Sequence, residues 1–309
     1  MKSKKKQIYN IQINRFKEIY PKTIITIKKG MKNQFMQNFP TERILQEFNY
    51  LKNNIDNNKE YETRLVPNNN LNRYSNVRPY WDTLVKINSG NKYINASWVH
   101  TPIKEFFIST QGPLDTTIDD FWEMIYQYDI KVIIMLCKLE EKNKIKCAKY
   151  WDNTKINNFN FREINEEIDL NGIIIRNFEF QKKNCNNYFP KTIIQLHYTC
   201  WEDHTAPDET SFFHLLELFK LMNIYREHSS VVIHCSAGVG RTGTFIALFN
   251  LFIEIMRQIN DNRISEIKFS IMETVRKLKE YRARLVENKD QYLFLYQFVN
   301  LLLHRNNLT

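Results

Sequence analysis

The sequence predicts one α/β (α+β) domain built around a central β-sheet. Two observations predict it. Short apolar runs typical of buried strands alternate with longer stretches of helical periodicity, and no internal repeat, heptad run or Gly/Pro-rich linker divides the 309 residues. Hydrophobic residues make up 43% of the chain, which is enough to build one large buried core.

Five apolar runs are the strand candidates. Each is short, rich in β-branched or aromatic residues and bounded by polar residues, which favours a strand over a helix. Because the most apolar of them show no alternation of polar and apolar positions, we expect those strands to be buried on both faces. The runs are residues 93–99, 106–110, 131–136, 192–199 and 230–235.

Six stretches have the periodicity of amphipathic helices. The first places Ile44, Leu45, Phe48 and Leu51 on one face, with Thr41 available as its N-cap. The other five are residues 116–128, 209–228, 241–259, 264–281 and 288–303. Residues 1–38 are basic and mixed in pattern, so we expect a partly ordered N-terminal extension followed by one domain over residues 39–309.

Composition excludes some classes of protein and leaves others open. No run approaches the ~20 apolar residues that a membrane span needs, and the basic N-terminus has no apolar segment of a secretory signal after it. The five cysteines are odd in number and form no CxxC pair, so neither a disulfide framework nor a zinc site is predicted, and a reducing, intracellular setting fits. The net charge of +10 is compatible with nucleic acid, anionic lipid or a phosphorylated partner.

The segment HCSAGVGRTG, residues 234–243, contains three of the seven glycines in the chain. It joins a predicted strand to a predicted helix, and the unpaired N–H groups at a helix N-terminus form an anion site. Glycines allow the backbone to wrap closely around an anion. Arg241 offers a planar fork that suits two phosphate oxygens, and Cys235 lies where the positive potential favours a nucleophilic thiolate.

This segment matches, without a mismatch, the signature HCxxGxxR[ST]G of the tyrosine-specific, cysteine-based protein tyrosine phosphatases. The resemblance extends over roughly residues 40–303. It implies a highly twisted mixed sheet flanked by helices, a catalytic domain over residues 39–309, and no metal or cofactor. It also implies that the phosphoryl group is cradled by Ser236, Ala237, Gly238, Val239 and Gly240, that Thr242 stabilises the departing thiolate, and that His234 holds the loop backbone.

The segment HYTCWEDHTAPD, residues 197–208, resembles the mobile acid loop of that family, usually WPDxGxP. The resemblance makes Asp203 the general acid and then the general base, because a phosphocysteine mechanism must protonate the leaving phenolate and later deprotonate water. Glu202 and Thr205 replace the usual Pro and Gly, so we expect the closure of this loop to differ.

Two further segments resemble parts of the substrate site. In NNLNRYSNV, residues 69–77, Tyr74 would stack on the substrate ring and set the depth of the cleft, so that phosphotyrosine reaches Cys235 and phosphoserine does not. Asn76 stands where the family has an Asp, which weakens the grip on peptide. In KLEEKNKIKCAKYW, residues 138–151, Glu141 matches the anchor of the signature Arg, and Lys146 matches the Lys that approaches the acid loop.

Residues 275–292 resemble the family segment that holds the hydrolytic water. Arg282 and Gln291 match, and Lys279 replaces an Arg. The other Gln of the family, which positions the water, is Glu287 here. A carboxylate about 6 Å from the phosphoryl group repels it by roughly 3 kcal/mol per unit charge at an effective dielectric constant near 20. We therefore expect slower turnover of the phosphocysteine or weaker phosphate binding, unless a nearby Lys or Arg, or protonation of Glu287, offsets the charge.

The predicted activity is hydrolysis of phosphotyrosine in proteins. A phosphotyrosine-binding pseudophosphatase is one alternative, favoured by Glu287, Glu202 and Asn76. An RNA 5′-phosphatase is a second, although Tyr74 argues against nucleic acid as a partner, and a phosphoinositide phosphatase is a third. A compact phosphatase with AT-biased composition resembles those of the polydnaviruses (bracoviruses), which implies action in the cytoplasm of a host cell.

Overall fold

The computed structural model of the protein describes residues 23–29, 35–56, 63, 70–88, 92–102, 107–184, 190–202, 205–222 and 230–308. Within these ranges the strands are β1 (Ile25–Lys28), β2 (Ala96–Val99), β3 (Phe107–Thr110), β4 (Val132–Met135), β5 (Glu140–Glu141), β6 (Lys144–Ile145), β7 (Phe159–Ile168), β8 (Ile173–Lys182), β9 (Lys191–Tyr198), β10 (Val231–His234) and β11 (Glu266–Phe269).

The α-helices of the described residues are α1 (Phe35–Asn38), α2 (Thr41–Leu51), α3 (Ile118–Gln127), α4 (Glu209–Leu221), α5 (Gly240–Asn260), α6 (Ile271–Lys279) and α7 (Lys289–Arg305). A π-helical turn, Lys52–Asp56, continues α2. Short 3₁₀ turns lie at Trp81–Thr83, Asp115–Thr117 and Asn153–Lys155. None of the helices in the described ranges is both long enough and apolar enough to cross a membrane.

A seven-stranded mixed sheet forms the centre, in the order β2-β3-β10-β4-β9-β8-β7. Strands β3, β10, β4 and β9 are parallel, and the outer pairs are antiparallel. Every residue of β3, β4 and β10 is buried, as expected for strands covered on both faces. The predicted fold class and all five predicted strands are confirmed, and the carboxyl end of β10 lies at the middle of the sheet.

The hairpin of β7 and β8 is a finding that the sequence analysis missed. Most side chains of β7 are exposed, and its charged residues hide the period of a strand. The hairpin has a bulge between Glu163 and Asn165. The hairpin forms the edge of the sheet beyond β9, three and four strands away from β10.

Two predictions about helices are wrong. Residues 264–281 are not one helix: β11 and α6 divide them, and the side chain of Ser270 caps α6 by accepting a hydrogen bond from the N–H of Glu273 (3.1 Å). Thr41 is not an N-cap, because Pro40 holds that position and α2 starts at Thr41 without a side-chain cap. The predicted helix 209–228 ends at Leu221, and residues 223–229 lie outside the described ranges.

The face of α2 also differs from its prediction, because Leu45 is only half-buried while Glu47 is buried. The Glu47 carboxylate accepts hydrogen bonds from the hydroxyls of Tyr292 (3.2 Å) and Tyr296 on α7. Burial raises the pKa of Glu47, and these bonds offset part of that effect. A buried carboxylate therefore fastens α2 to α7.

Two described elements precede residue 39, where the sequence predicts that the catalytic domain starts. Strand β1 pairs antiparallel with β11, with Ile25 opposite Phe269. The ring of Phe35 in α1 lies 5.2 Å from that of Phe39 and 6.2 Å from that of Tyr296. These elements pack on the body that follows them, and the boundary at residue 39 stays a prediction.

Candidate active site

The loop between β10 and α5 folds tightly against the neighbouring strand β3. Gly238 has a φ of +71°, and a Cβ built on it would lie 2.2 Å from the carbonyl oxygen of Thr110. The Ser109 hydroxyl donates a hydrogen bond to the Gly238 carbonyl (2.8 Å). Only glycine fits both the left-handed backbone and the contact, which explains why this chain places a glycine there.

Cys235 lies at the start of this loop, at the carboxyl end of β10. Its side chain is buried, and its sulfur accepts a hydrogen bond from the N–H of Gly238 (3.3 Å). Helix α5 begins at Gly240, so its N-terminal N–H groups and the positive end of its dipole lie on the same side as the sulfur. This arrangement stabilises negative charge in the loop.

Arg282 fixes the loop from behind. Its guanidinium donates to the carbonyls of Gly238 (3.0 Å) and Ala237 (3.1 Å). It also donates to Ser97 Oγ (3.1 Å) and Asn95 Oδ1 (2.7 Å). Burial lowers the pKa of Arg282 to about 10, which still leaves it charged at neutral pH. These four hydrogen bonds therefore fix two carbonyls of the loop and tie the loop to Asn95 and Ser97.

Arg241, in the first turn of α5, is buried and held by Glu141. The two groups form a bidentate pair, with Nη1 2.7 Å from Oε1 and Nη2 2.6 Å from Oε2. Nη1 also donates to the carbonyls of Leu136 (2.9 Å) and Trp201 (3.0 Å). Burial on its own lowers the pKa of Arg241, but the Glu141 bonds and nearby negative groups raise it above its usual value. The predicted anchoring of Arg241 by Glu141 is confirmed.

Glu141 reaches Arg241 because the β5–β6 hairpin turns sharply. Lys142 and Asn143 both have positive φ, at 49° and 58°, as a two-residue type I′ turn requires. Oε1 of Glu141 also accepts the N–H of Lys138 (3.0 Å). The carboxylate is therefore held both by the backbone just before β5 and by the guanidinium of Arg241.

Tyr74 stands at the other wall of the site. Ser236 Oγ donates to the Lys146 carbonyl (2.9 Å) and accepts from the Tyr74 hydroxyl (3.0 Å), since a single hydroxyl has one proton to give. Arg73, which the sequence analysis missed, holds this segment: Nε donates to the Gly112 carbonyl (3.1 Å) and Nη2 to the Pro113 carbonyl (2.6 Å). In the sequence, the position of Arg73 directly before Tyr74 is the feature that could have indicated this role.

Gln291 and Glu287 form the third wall. The Gln291 Oε1 accepts the backbone N–H groups of Glu287 (3.1 Å) and Asn288 (3.4 Å). A Cβ on Gly240 would lie 2.9 Å from Gln291 Nε2, so glycine leaves room for that amide. Glu287 Oε1 pairs with Arg284 Nη2 at 3.0 Å. Arg284 is therefore the nearby cation that offsets the charge of Glu287.

These walls enclose a cavity of about 310 Å³. Ten of the predicted site residues line it: Tyr74, Asn76, Lys146, Cys235, Ser236, Ala237, Gly240, Arg241, Glu287 and Gln291. Val77, Lys144 and Arg284 complete the lining. In the described part of the chain, no cluster of His, Cys, Asp and Glu suits a metal ion.

Four predicted residues are not part of that lining. Gly238 and Val239 are buried residues of the loop itself, and the Val239 carbonyl accepts the N–H of Gly243 (2.9 Å). Thr242 is fully buried, and its hydroxyl has no hydrogen-bond partner among the described residues. Asp203 lies outside the described residues, as does His204.

A sequence model described as protein-tyrosine phosphatase matches residues 68–300. The chain belongs to this family. It is 35% identical over 253 residues to receptor-type tyrosine-protein phosphatase eta of Mus musculus, covering 78% of this chain and 19% of that protein. It is 34% identical over 241 residues to tyrosine-protein phosphatase non-receptor type 2 of Homo sapiens, covering 75% of this chain and 56% of that protein.

A third relative carries a different name. The chain is 33% identical over 297 residues to phosphatidylinositol phosphatase PTPRQ of Rattus norvegicus, covering 91% of this chain and 12% of that protein. The chain thus spans less than two thirds of the length of each of these three relatives.

The segment that is predicted to be the acid loop is described on both sides of residues 203 and 204. Trp201 is buried against Phe212, with ring centroids 5.3 Å apart, and its indole N–H donates to the Thr205 carbonyl (2.8 Å). The Trp201 carbonyl accepts from Arg241. Trp201 and Thr205, which flank residues 203 and 204, are therefore bonded to each other, and Trp201 is also bonded to Arg241 in the cavity wall.

His234 holds the loop of the phosphatase domain from inside the core. Burial lowers the pKa of His234 to about 3, so the ring is neutral at pH 7. Its Nδ1–H then donates to the Cys235 carbonyl (3.1 Å), and its Nε2 accepts from the Tyr150 hydroxyl (3.0 Å). Burial also raises the pKa of Tyr150, which keeps that donor protonated. The predicted contact between His234 and the loop backbone is confirmed.

We expect His234 to make the fold sensitive to acid. Its folded pKa of about 3 lies below the ~6.5 of an unfolded histidine. Between these values the unfolded chain binds the extra proton, so the stability from neutral His234 is complete above about pH 6.5 and is lost as the pH falls toward 3. From pH 7 to pH 5 the loss is on the order of 2 kcal/mol.

The measurement is the free energy of unfolding in urea at pH 7 and pH 5. His234→Gln, which keeps a donor and an acceptor but does not titrate, should lose about 2 kcal/mol less than the unmutated protein over this interval. His304→Gln, at an exposed position of α7, is the control and should follow the unmutated protein. Equal losses in all three proteins contradict the prediction.

Proposed function

We propose that the protein hydrolyses phosphotyrosine in proteins through a phosphocysteine intermediate. The observation that carries the proposal is the pairing of Cys235, at the start of a helix N-terminal loop, with Arg241, a buried guanidinium fixed by Glu141, in one cavity. Such a cavity binds a phosphate and places a nucleophile under it. The names of relatives that are tyrosine-protein phosphatases support the same activity.

In the first step, the phosphoryl oxygens are bound by the N–H groups of Ser236, Ala237, Gly238, Val239 and Gly240 and by Arg241. The Cys235 sulfur attacks phosphorus, and the bond to the phenolic oxygen breaks. Asp203 donates its proton to that oxygen, so tyrosine leaves as a neutral phenol. Electrostatic preorganisation by the loop supplies most of the stabilisation of the transition state.

In the second step, water attacks the phosphocysteine. Asp203 accepts a proton from the water, the phosphorus–sulfur bond breaks, and its electron pair returns to Cys235. Gln291 and Glu287 place the water. The buried hydroxyl of Thr242, which has no hydrogen-bond partner among the described residues, is available to stabilise the thiolate.

The presence of Tyr74 in the cavity wall supports tyrosine as the substrate side chain. Tyr74 is bound through Ser236 to the wall that carries Lys146, and Arg73 fixes its backbone. We expect the Tyr74 ring, which lines the same cavity as Cys235, to admit a phosphate on a long aromatic side chain and to keep the short phosphoserine away. Asn76, exposed at the rim, lacks the charge that would hold a substrate backbone.

The test measures phosphate release from a phosphotyrosine peptide and from p-nitrophenyl phosphate. Asp203→Ala should lower the rate on the peptide by about 10²–10⁴-fold, and by much less on p-nitrophenyl phosphate, whose phenolate leaves without a proton. Glu217→Ala removes an exposed carboxylate of α4 and is the matched control, expected to change neither rate by more than about threefold. Equal losses on the two substrates would mean that Asp203 is not the acid.

The same assay separates the alternatives. Binding of the phosphotyrosine peptide without phosphate release indicates a pseudophosphatase. Faster release from a phosphoinositide, the class that the name of the PTPRQ relative suggests, or from 5′-triphosphate RNA, would contradict a protein substrate.

We propose phosphotyrosine-containing signalling proteins as the partners of this chain. We also propose that it acts in the cytoplasm, which is that of a host cell if the source is viral. Residues 39–309 would form the catalytic domain and residues 1–38 an extension.

A further inference from the structure

A carboxylate stands in the wall of a cavity that otherwise attracts anions. Glu287 lines the same cavity as Cys235 and Arg241. If the proposed function holds, a doubly charged phosphoryl group enters this cavity and is transferred to sulfur. A carboxylate without a counter-charge at that position repels the group, so the structure has to offset the charge of Glu287.

Arg284 is the group that offsets it. Its Nη2 lies 3.0 Å from Oε1 of Glu287, and both side chains line the cavity, with 39% and 23% of their surfaces exposed. Among the described residues, no group bonds the second carboxylate oxygen, Oε2. The ion pair therefore offsets the charge of Glu287 and leaves Oε2 available as an acceptor.

The position of Arg284 is set by a second ion pair that is more deeply buried. Its backbone N–H donates to Asp56 Oδ1 (3.0 Å), and Asp56 Oδ2 pairs with Lys279 Nζ (2.6 Å), which is only 1% exposed. Arg284 itself has a φ of +65°, a conformation that residues with a Cβ adopt at a cost. The contact with Asp56 stabilises this backbone and thereby directs the side chain of Arg284.

The amide of Gln291 gives Glu287 a distinct task. Oε1 of Gln291 is occupied by the N–H groups of Glu287 and Asn288, so the amide offers its N–H donors to the cavity. A water that attacks phosphorus needs acceptors for its protons so that a lone pair points at the phosphorus. On this wall of the cavity, Oε2 of Glu287 is an acceptor that can serve in addition to the proposed base Asp203.

We propose that Arg284 is a positioning residue for hydrolysis of the phosphocysteine. It holds the Glu287 carboxylate in place and offsets its charge, so that Oε2 orients the water without repelling the phosphoryl group. The water oxygen bonds to phosphorus, the phosphorus–sulfur bond breaks with its electron pair returning to Cys235, and the proton passes to Asp203. The inference rests on the proposed function and concerns the second step alone.

The experiment measures the two steps separately in the full chain. Phenolate release from p-nitrophenyl phosphate with enzyme in excess gives the rate of phosphocysteine formation. The decay of ³²P-labelled phosphoenzyme after a chase with unlabelled substrate gives the rate of hydrolysis. Arg284→Gln should slow hydrolysis by about tenfold and formation by less than about threefold. It should also weaken inhibition by inorganic phosphate.

The double variant Arg284→Gln/Glu287→Gln decides whether Arg284 acts through Glu287. Without a carboxylate to hold, it should hydrolyse the phosphoenzyme within about threefold of the rate of Glu287→Gln alone. Arg162→Gln, which breaks the exposed pair with Glu179 on the β7–β8 hairpin, is the matched control and should leave both steps unchanged.

Three outcomes overturn the inference. In the first, Arg284→Gln slows both steps by the same factor. In the second, it leaves the rate of hydrolysis unchanged. In the third, it slows hydrolysis by the same factor whether residue 287 is Glu or Gln. Failure of the proposed function is a different result, because the unmutated protein then forms no labelled phosphoenzyme at all.

Discussion

Cys235→Ser should lower phosphate release from a phosphotyrosine peptide by at least about 10⁴-fold, which corresponds to roughly 5 kcal/mol in the barrier. A hydroxyl is a far weaker nucleophile than a thiolate at neutral pH, and the described cavity offers no second thiol. The variant should still bind the peptide within about tenfold of the unmutated protein, because the loop N–H groups and Arg241 are unchanged. Replacing this one sulfur atom by oxygen should therefore remove most of the catalysis while peptide binding is largely kept.

The measurement combines the rate assay with isothermal titration of the same peptide. Cys200→Ser is the matched control, since Cys200 is an exposed free cysteine that does not line the cavity, and it should retain full activity. Activity that survives Cys235→Ser would remove Cys235 from the mechanism. A simultaneous loss of peptide binding would show instead that the substitution disturbs the loop.

The sequence predicts the central sheet well because strands that are buried on both faces consist almost entirely of apolar residues. Strands β3, β4 and β10 are short apolar runs, and the glycines that follow β10 mark a tight loop that can be recognised from the sequence. The same rule fails for β7, whose side chains are mostly exposed. It also fails at Ser270, where one polar residue divides an apparent helix into β11 and α6.

Contacts between distant residues of the site could not be predicted in the same way. The Arg282 guanidinium bonds Ser97 and Asn95, nearly two hundred positions earlier in the chain. Glu47 is buried because hydroxyls of α7 pair with it, and nothing in its own helix announces that partner. The pairing of Arg284 with Glu287 depends on a positive φ fixed by Asp56. Each is a property of the assembled fold, and a local pattern does not contain it.

Arg241→Lys should lower kcat on the phosphotyrosine peptide by about 10²–10³-fold, equivalent to roughly 3–4 kcal/mol of transition-state stabilisation. An ammonium keeps the charge but loses the planar fork that meets Glu141 with two parallel bonds and that also reaches the Leu136 and Trp201 carbonyls. The substitution therefore tests geometry at constant charge, and its effect should fall mainly on kcat because the fork fits the transferring phosphoryl group best.

Glu141→Gln tests the other half of the pair and should act on stability. It leaves a buried guanidinium without its counter-charge, which costs about 3 kcal/mol in the free energy of unfolding. Inorganic phosphate in the cavity restores a negative partner, so phosphate should raise the midpoint of thermal unfolding more for Glu141→Gln than for the unmutated protein. For Arg241→Lys the increase should be smaller, because a lysine binds phosphate without the fork.

These opposite shifts in the stabilisation by phosphate distinguish an anion-binding arginine from a structural one. If Arg241 served only to tie β5–β6 to α5, both substitutions would lower stability and neither would change its dependence on phosphate. Glu140→Gln is the control, since Glu140 is exposed one residue away on β5 and should leave both the midpoint and its response unchanged. A larger response in Glu141→Gln with a smaller one in Arg241→Lys means that the carboxylate holds the guanidinium ready for a phosphate.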